Sequence, residues 1–169
     1  RQLTAFTKNT LRNEFYQPEA LITGANFLVS NTGTIVLTEN EGNILKSSTY
    51  APIHIIVAGI DKMISSMDEL GVLLPLSSLY DSNNNVSSLY SFVNKPLTNN
   101  GEVQKLYLIL LNNNRTNILS KDKQRNILSC IQCGACLEVC PIYNTVGGHT
   151  YEEYNPGPVG SISLPLLKD

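Results

Sequence analysis

The run Cys130-Ile131-Gln132-Cys133-Gly134-Ala135-Cys136-Leu137-Glu138-Val139-Cys140-Pro141 contains all four cysteines of a 169-residue chain. A C-x2-C-x2-C-x3-C spacing closed by proline predicts iron–sulfur ligation. Two-residue spacers let a loop wrap a cube of iron and sulfide, so that three thiolates reach three corners. Gly134 and Ala135 are small enough for the backbone between them to approach the cube and donate N–H bonds to its sulfides. Two other readings compete. Paired disulfides need an oxidising compartment, and the opening RQLTAFTKNTLRNEF has no apolar leader core. Zinc sites usually present separated C-x2-C knuckles or mixed Cys/His pairs, which a third cysteine and a Cys-Pro ending disfavour.

Runs of this spacing use the first three thiolates for one cluster and the fourth for another. Cys130, Cys133 and Cys136 then lack one ligand, Cys140 lacks three, and the chain has no other cysteine. The expectation is a second run beyond Asp169 and two [4Fe-4S] clusters in the full-length protein. These residues alone would hold none, or an incomplete one. A start at Arg1 without Met and a stop at LPLLKD read the same way, as an excerpt.

Hydrophobic residues make up 42% of the chain, enough for a core, and the net charge of −2 comes with scattered basic residues. That composition argues against a nucleic-acid footprint or a polybasic membrane patch. APIHIIVAGI and LYLILL are too short to span a bilayer and have the length of buried strands. The expectation is a cytoplasmic protein without a membrane span.

Periodicity predicts a helix over 2–16, carried by Leu3, Phe6, Leu11 and Phe15 and broken at Pro18. ANFLVS and TGTIVLTE flank Asn31-Thr32-Gly33 and predict a hairpin, with ENEGN a further turn. PIHIIVAG reads as a fully buried strand. A helix from Asp61, spaced by Met63, Ile64, Met67, Leu70 and Leu74, ends at Pro75. VSSLYSFVN is a strand, Pro96 to Gly101 a loop, QKLYLILL a buried strand, and RTNILSKDKQRNIL a helix entering the cysteines. Alternating strands and helices predict an α/β fold, helices packed on a mixed sheet. Beyond Ser129 the composition turns to Cys, Gly and Pro, a segment expected to be held by its ligand rather than by a core.

TGANFLVSNTGTIVLTENEGN, PIHIIVAGIDKM and CIQCGACLEVCPIYNTVGGHTYEEYNPGPVG together resemble the lactate utilization protein B family, over nearly the whole chain. The resemblance implies a LUD domain, a three-layer α/β fold like that of sugar-phosphate isomerases and CoA transferases, of which 1–115 is a part. A connecting helix at 116–128 and an incomplete ferredoxin-type 4Fe-4S segment at 129–169 follow. It implies an iron–sulfur electron-transfer subunit in the oxidation of L-lactate to pyruvate. The implied partners are sister subunits, one a Cys-rich iron–sulfur protein and one a second LUD protein. The family's chain extends past both ends of this one and carries a second cysteine run downstream.

A rival reading makes the LUD domain itself catalytic or ligand-binding, the cysteines being structural; a third makes the chain a scaffold for its sisters. The rival directs attention to the loops at Gly24, Gly33 and Gly42, to Thr23 and Asn26, and to Glu39 and Glu41, since CoA transferases of this superfold use a glutamate nucleophile. Against it, glycines at turns supply positive φ, and acids in a polar turn are solvated by default. His54 reads as a core histidine. His149 lies in a loop after the cysteines, either against the cluster or on the surface. Tyr143, Tyr151 and Tyr154 are expected to pack over the cluster segment, and Asp61, Asp68 and Glu69 to cap a helix or face solvent.

Overall fold

The hairpin forms where Asn31-Thr32-Gly33 directs it. Gly33 has φ +66°, a left-handed conformation that side-chain-bearing residues rarely adopt, and its N–H donates to the Val29 carbonyl at 2.9 Å. It joins β2 (Phe27–Val29) to β3 (Thr34–Glu39), antiparallel, with Leu28 opposite Ile35. The computed structural model describes residues 3, 6, 7, 10–12, 17–81, 89–99, 101–151 and 155–168. The described residues of the first predicted helix are helical, and the Thr7 and Thr10 hydroxyls donate to the Leu3 and Phe6 carbonyls. Phe15 lies outside the described residues.

The chain divides into two compact units, Arg1–Ala58 with Lys62–Ser65 and Ser88–Leu111, and Gly59–Asp61 with Ser66–Ser87 and Asn112–Asp169. The first unit is a mixed α/β structure. β1 (Leu21–Gly24) lies parallel to β4 (Ile53–Gly59), and β9 (Lys105–Leu111) follows in a three-stranded sheet of order β1-β4-β9. A four-stranded sheet has the order β5-β2-β3-β6, with β5 (Met63–Ile64) parallel to β2 and β6 (Leu89–Val93) antiparallel to β3. The sheets share one core: Leu28, Ile35 and Leu37 from one meet Ile56 and Ala58 from the other. Alternate residues of β4, His54, Ile56 and Ala58, are buried, as the period-two geometry of a strand requires. The β-branched run PIHIIVAG thus forms a strand as predicted, but one buried at alternate residues rather than throughout.

Five other elements differ from expectation, the last of them just before the cysteines. ENEGN is a turn at Gly42, φ +70°, but a helix, α1 (Asn43–Tyr50), starts immediately after it. The predicted loop at 96–101 contains a small hairpin of β7 (Thr98–Asn99) and β8 (Glu102–Val103). QKLYLILL does form a strand, β9, yet it is not buried: Tyr107 to Leu111 are 43–52% exposed. Among the described residues β9 has one neighbouring strand, β4, so its apolar faces stay open.

The fourth difference is the helix predicted over 61–74. Residues 60–62 form a 3-10 turn, β5 follows, and α2 (Leu70–Asp81) starts after a second 3-10 turn, Met67–Glu69. The Ser66 N–H donates to the Glu69 carboxylate at 3.2 Å, which fixes the entry to that turn. The helix runs through Pro75. Proline removes one backbone bond and crowds the carbonyl four residues back. That residue is Gly71, where even an added Cβ would meet nothing within 4 Å outside the helix's own backbone.

The second unit, to which α2 also belongs, is built of helices joined by 3-10 turns. α3 (Arg115–Leu119) and a 3-10 helix at Arg125–Ser129 replace the single helix expected before the cysteines. α4 (Ala135–Glu138), α5 (Pro141–Val146), a 3-10 turn at Gly148–Tyr151 and α6 (Gly157–Lys168) complete it. No helix among the described residues is long and apolar enough to cross a membrane.

Candidate metal centre

Cys130 follows the 3-10 turn 125–129 in extended conformation, φ −70° and ψ 117°. Two left-handed residues then bend the loop, Gln132 at φ +60° and Gly134 at φ +82°. Glycine adopts that conformation freely, whereas Gln132 is strained there. The bends turn Cys130, Cys133 and Cys136 onto one pocket of about 590 Å3. Pockets of roughly 300–1,000 Å3 are usual for small molecules and cofactors. Gly134 and Ala135 form part of its floor, and Leu137, Pro156 and Val159 give it an apolar wall.

Cys140 does not border that pocket. It is the N-cap of α5, where its sulfur accepts the Tyr143 N–H at 3.5 Å, and Pro141 occupies the first helical position. Proline suits that position because its missing N–H would have no partner inside the helix. The Cys-Pro pair thus presents the fourth sulfur at a helix start, apart from the other three. The Cys130 sulfur accepts the Gln132 N–H at 3.4 Å. All four thiols are free and half-buried. Among the described residues no three Cys, His, Asp or Glu side chains are close enough to share a single metal ion. The three cysteines border one cavity, whose volume has room for a body larger than one ion.

Glycine also lets α6 approach this loop. A Cβ on Gly157, φ +75°, would lie 2.3 Å from Leu137 Cδ2. Gln132, Asn155 and Val159 had no signal of their own in the sequence; positive φ at Gln132 and the return of α6 arise only from tertiary placement.

The remaining candidates fall to structural roles. Thr23 Oγ1 and His54 Nε2 are hydrogen-bonded at 2.9 Å, and His54 is 1% exposed, the core histidine expected. Burial lowers its pKa from 6.5. Asn26 Oδ1 accepts the Thr38 N–H at 2.9 Å, tying the TGAN loop to β3. Gly33 and Gly42 hold positive φ at their turns; Gly24 does not. Glu39 is no solvated acid. It ends β3 at 8% exposure, and its two oxygens accept the Ile44 and Leu45 N–H groups at 2.6 and 2.8 Å. A carboxylate committed to the start of α1 satisfies donors that the helix itself leaves open. Glu41 is exposed.

His149 is exposed and does not border the cysteine pocket, so the surface reading holds. The Tyr143 and Tyr151 rings pack on each other, centroids 6.2 Å apart; Tyr154 lies outside the described residues. Asp61 is neither cap nor solvated, since Arg115 Nε donates to its carboxylate.

Residues 1–106 match the LUD domain model, and residues 126–168 match the 4Fe-4S dicluster domain model. The chain belongs to the LUD domain family. It is 38% identical over 166 residues to lactate utilization protein B of Bacillus pumilus (strain SAFR-032), covering 98% of this chain and 35% of that protein. Lactate utilization protein B of Shouchella clausii (strain KSM-K16) is 34% identical over 171 residues, 99% of this chain and 36% of that one. The chain therefore spans about a third of the length of these relatives. A crystal structure of a DUF162 family protein from Deinococcus radiodurans superposes with a TM-score of 0.42 at 21% identity, covering 58% of this chain and 56% of that one.

Proposed function

We propose that this chain is the iron–sulfur electron-transfer part of a system that oxidises L-lactate to pyruvate. The observation that carries the reading is the separation of the cysteines into three on one pocket and one at the start of α5. Cys130, Cys133 and Cys136 hold one [4Fe-4S] cluster, and Cys140 contributes to a second. Two cubanes with four thiolates apiece require twice the four cysteines present, so the remaining ligands come from polypeptide outside these 169 residues.

When bound, such clusters supply one-electron transfer. The chain's own residues set its conditions. Leu137, Pro156 and Val159 give the pocket apolar surface, Gly134 and Ala135 let the backbone close in, and the Gln132 and Tyr143 N–H groups donate to the Cys130 and Cys140 sulfurs. Donors to a thiolate and local burial both act on reduction potential. Electrons arrive from the partner that handles lactate. The sister subunits, a Cys-rich iron–sulfur protein and a second LUD protein, are its proposed partners, and the cytoplasm is its proposed compartment. The Glu39 nucleophile of the rival reading loses its motive, because both carboxylate oxygens cap α1.

The test is Cys133→Ala in the complete protein, purified without oxygen. The expected result is loss of one cluster's iron and sulfide together with lactate-dependent growth. Full iron content and undiminished growth would reject the assignment.

A further inference from the structure

Cys130 borders a second cavity, of about 30 Å3, whose lining is part polar and part aliphatic (Ile118, Ile127, Leu128) where that of the large pocket is mainly apolar. Asp61, Arg115, Gln132, Asn155 and Ser163 share its wall. Arg115 and Asp61 form an ion pair there, their side chains 17% and 11% exposed. Ser163, on α6, is 7% exposed, and its hydroxyl oxygen is buried with no hydrogen-bond partner. A native structure rarely leaves a buried hydroxyl unsatisfied, and such an atom usually marks a water or a functional role. A polar cavity above about 10–15 Å3 holds a water, which needs two to four polar neighbours. This cavity has the size and the neighbours.

We infer that the cavity tunes the metal centre: Ser163, through one water shared with the Asp61–Arg115 pair, supplies a hydrogen bond to the Cys130 thiolate and raises its cluster's reduction potential. The inference rests on the cluster reading above. One-electron reduction adds negative charge to the cluster, part of it on the thiolates, so a donor at a ligating sulfur stabilises the reduced state more than the oxidised one. The Gln132 N–H already donates to this sulfur from the pocket's loop, and Ser163 extends that pattern from α6. The ion pair acts beside it as a dipole. Asp61 offsets the guanidinium, and removing its charge leaves Arg115 as a net positive charge beside Cys130.

The experiment is a redox titration followed by EPR on the complete, anaerobically purified protein, with iron and sulfide counted on the same samples. Ser163→Ala is expected to keep the parent's iron and sulfide while one midpoint potential moves to more negative values. Ser163→Thr, which keeps the hydroxyl, is expected to restore the parent's value. Asp61→Asn is expected to move the same midpoint the opposite way. An unchanged midpoint in Ser163→Ala with its clusters in place overturns the inference and leaves the cluster reading standing. So does an equal shift in Ser163→Thr, which would assign the effect to packing. An iron-free parent overturns the cluster reading itself.

Discussion

Nine of the eleven buried hydrophobic residues described, Phe27 to Ala58, lie in the sheet-bearing unit, and two, Leu70 and Ile118, in the cysteine-bearing one. The first unit is held by two sheets closing on shared apolar side chains, a source of stability that works without a ligand. The second has helices of four to twelve residues without a sheet core, three positive-φ glycines (Gly134, Gly147 and Gly157), and a pocket bordered by three cysteines. Small domains with too little core commonly draw on metal binding, where binding free energy becomes folding free energy. The contrast teaches that a change in one unit should be read out differently from a change in the other.

The largest effect expected is on the second unit. Cys133→Ala, besides removing iron, should open residues 129–168 to limited proteolysis while the sheet unit stays resistant; equal resistance of both units would dissolve the contrast. Leu37→Ala, in the shared core at 1% exposure, should cost about 2–5 kcal/mol of stability and leave the iron content per folded protein unchanged. Thermal melts paired with iron assay check it, and iron lost in step with stability would show the units to be one. Glu39→Ala leaves the Ile44 and Leu45 N–H groups without their carboxylate and should cost about 1–3 kcal/mol by urea unfolding.

The smallest effect comes from His54. Its folded pKa lies below the unfolded value of 6.5, so above 6.5 both states are neutral and no penalty exists. As the pH falls below 6.5 the unfolded chain takes a proton that the buried imidazole refuses, and stability drops until the folded pKa is reached. Melting temperature against pH should therefore fall more steeply for the parent than for His54→Leu. Parallel curves would remove His54 from the account.

Much of this was legible beforehand. The hairpin at Gly33 and strand β4 were readable because turn chemistry and β-branched runs are local signals. The cysteine spacing likewise separates Cys140 from the other three. What escaped depends on distant partners. Glu39 looks solvated in sequence and becomes a cap only because α1 begins beyond Gly42. Pro75 looks like a stop, yet α2 continues past it. β9 reads as a buried strand because its composition records two-sided burial, whereas burial is decided by which neighbours are present. Ser163 lies on a Ser/Leu/Pro stretch without pattern, and only the fold brings it to the cavity beside Cys130.

The division of the cysteines is tested most directly by EPR of the reduced, anaerobically purified complete protein, comparing Cys133→Ala with Cys140→Ala. Each variant is expected to lose a different one of two cluster signals and keep the other. Loss of the same signal in both variants, or a parent without iron, would contradict it.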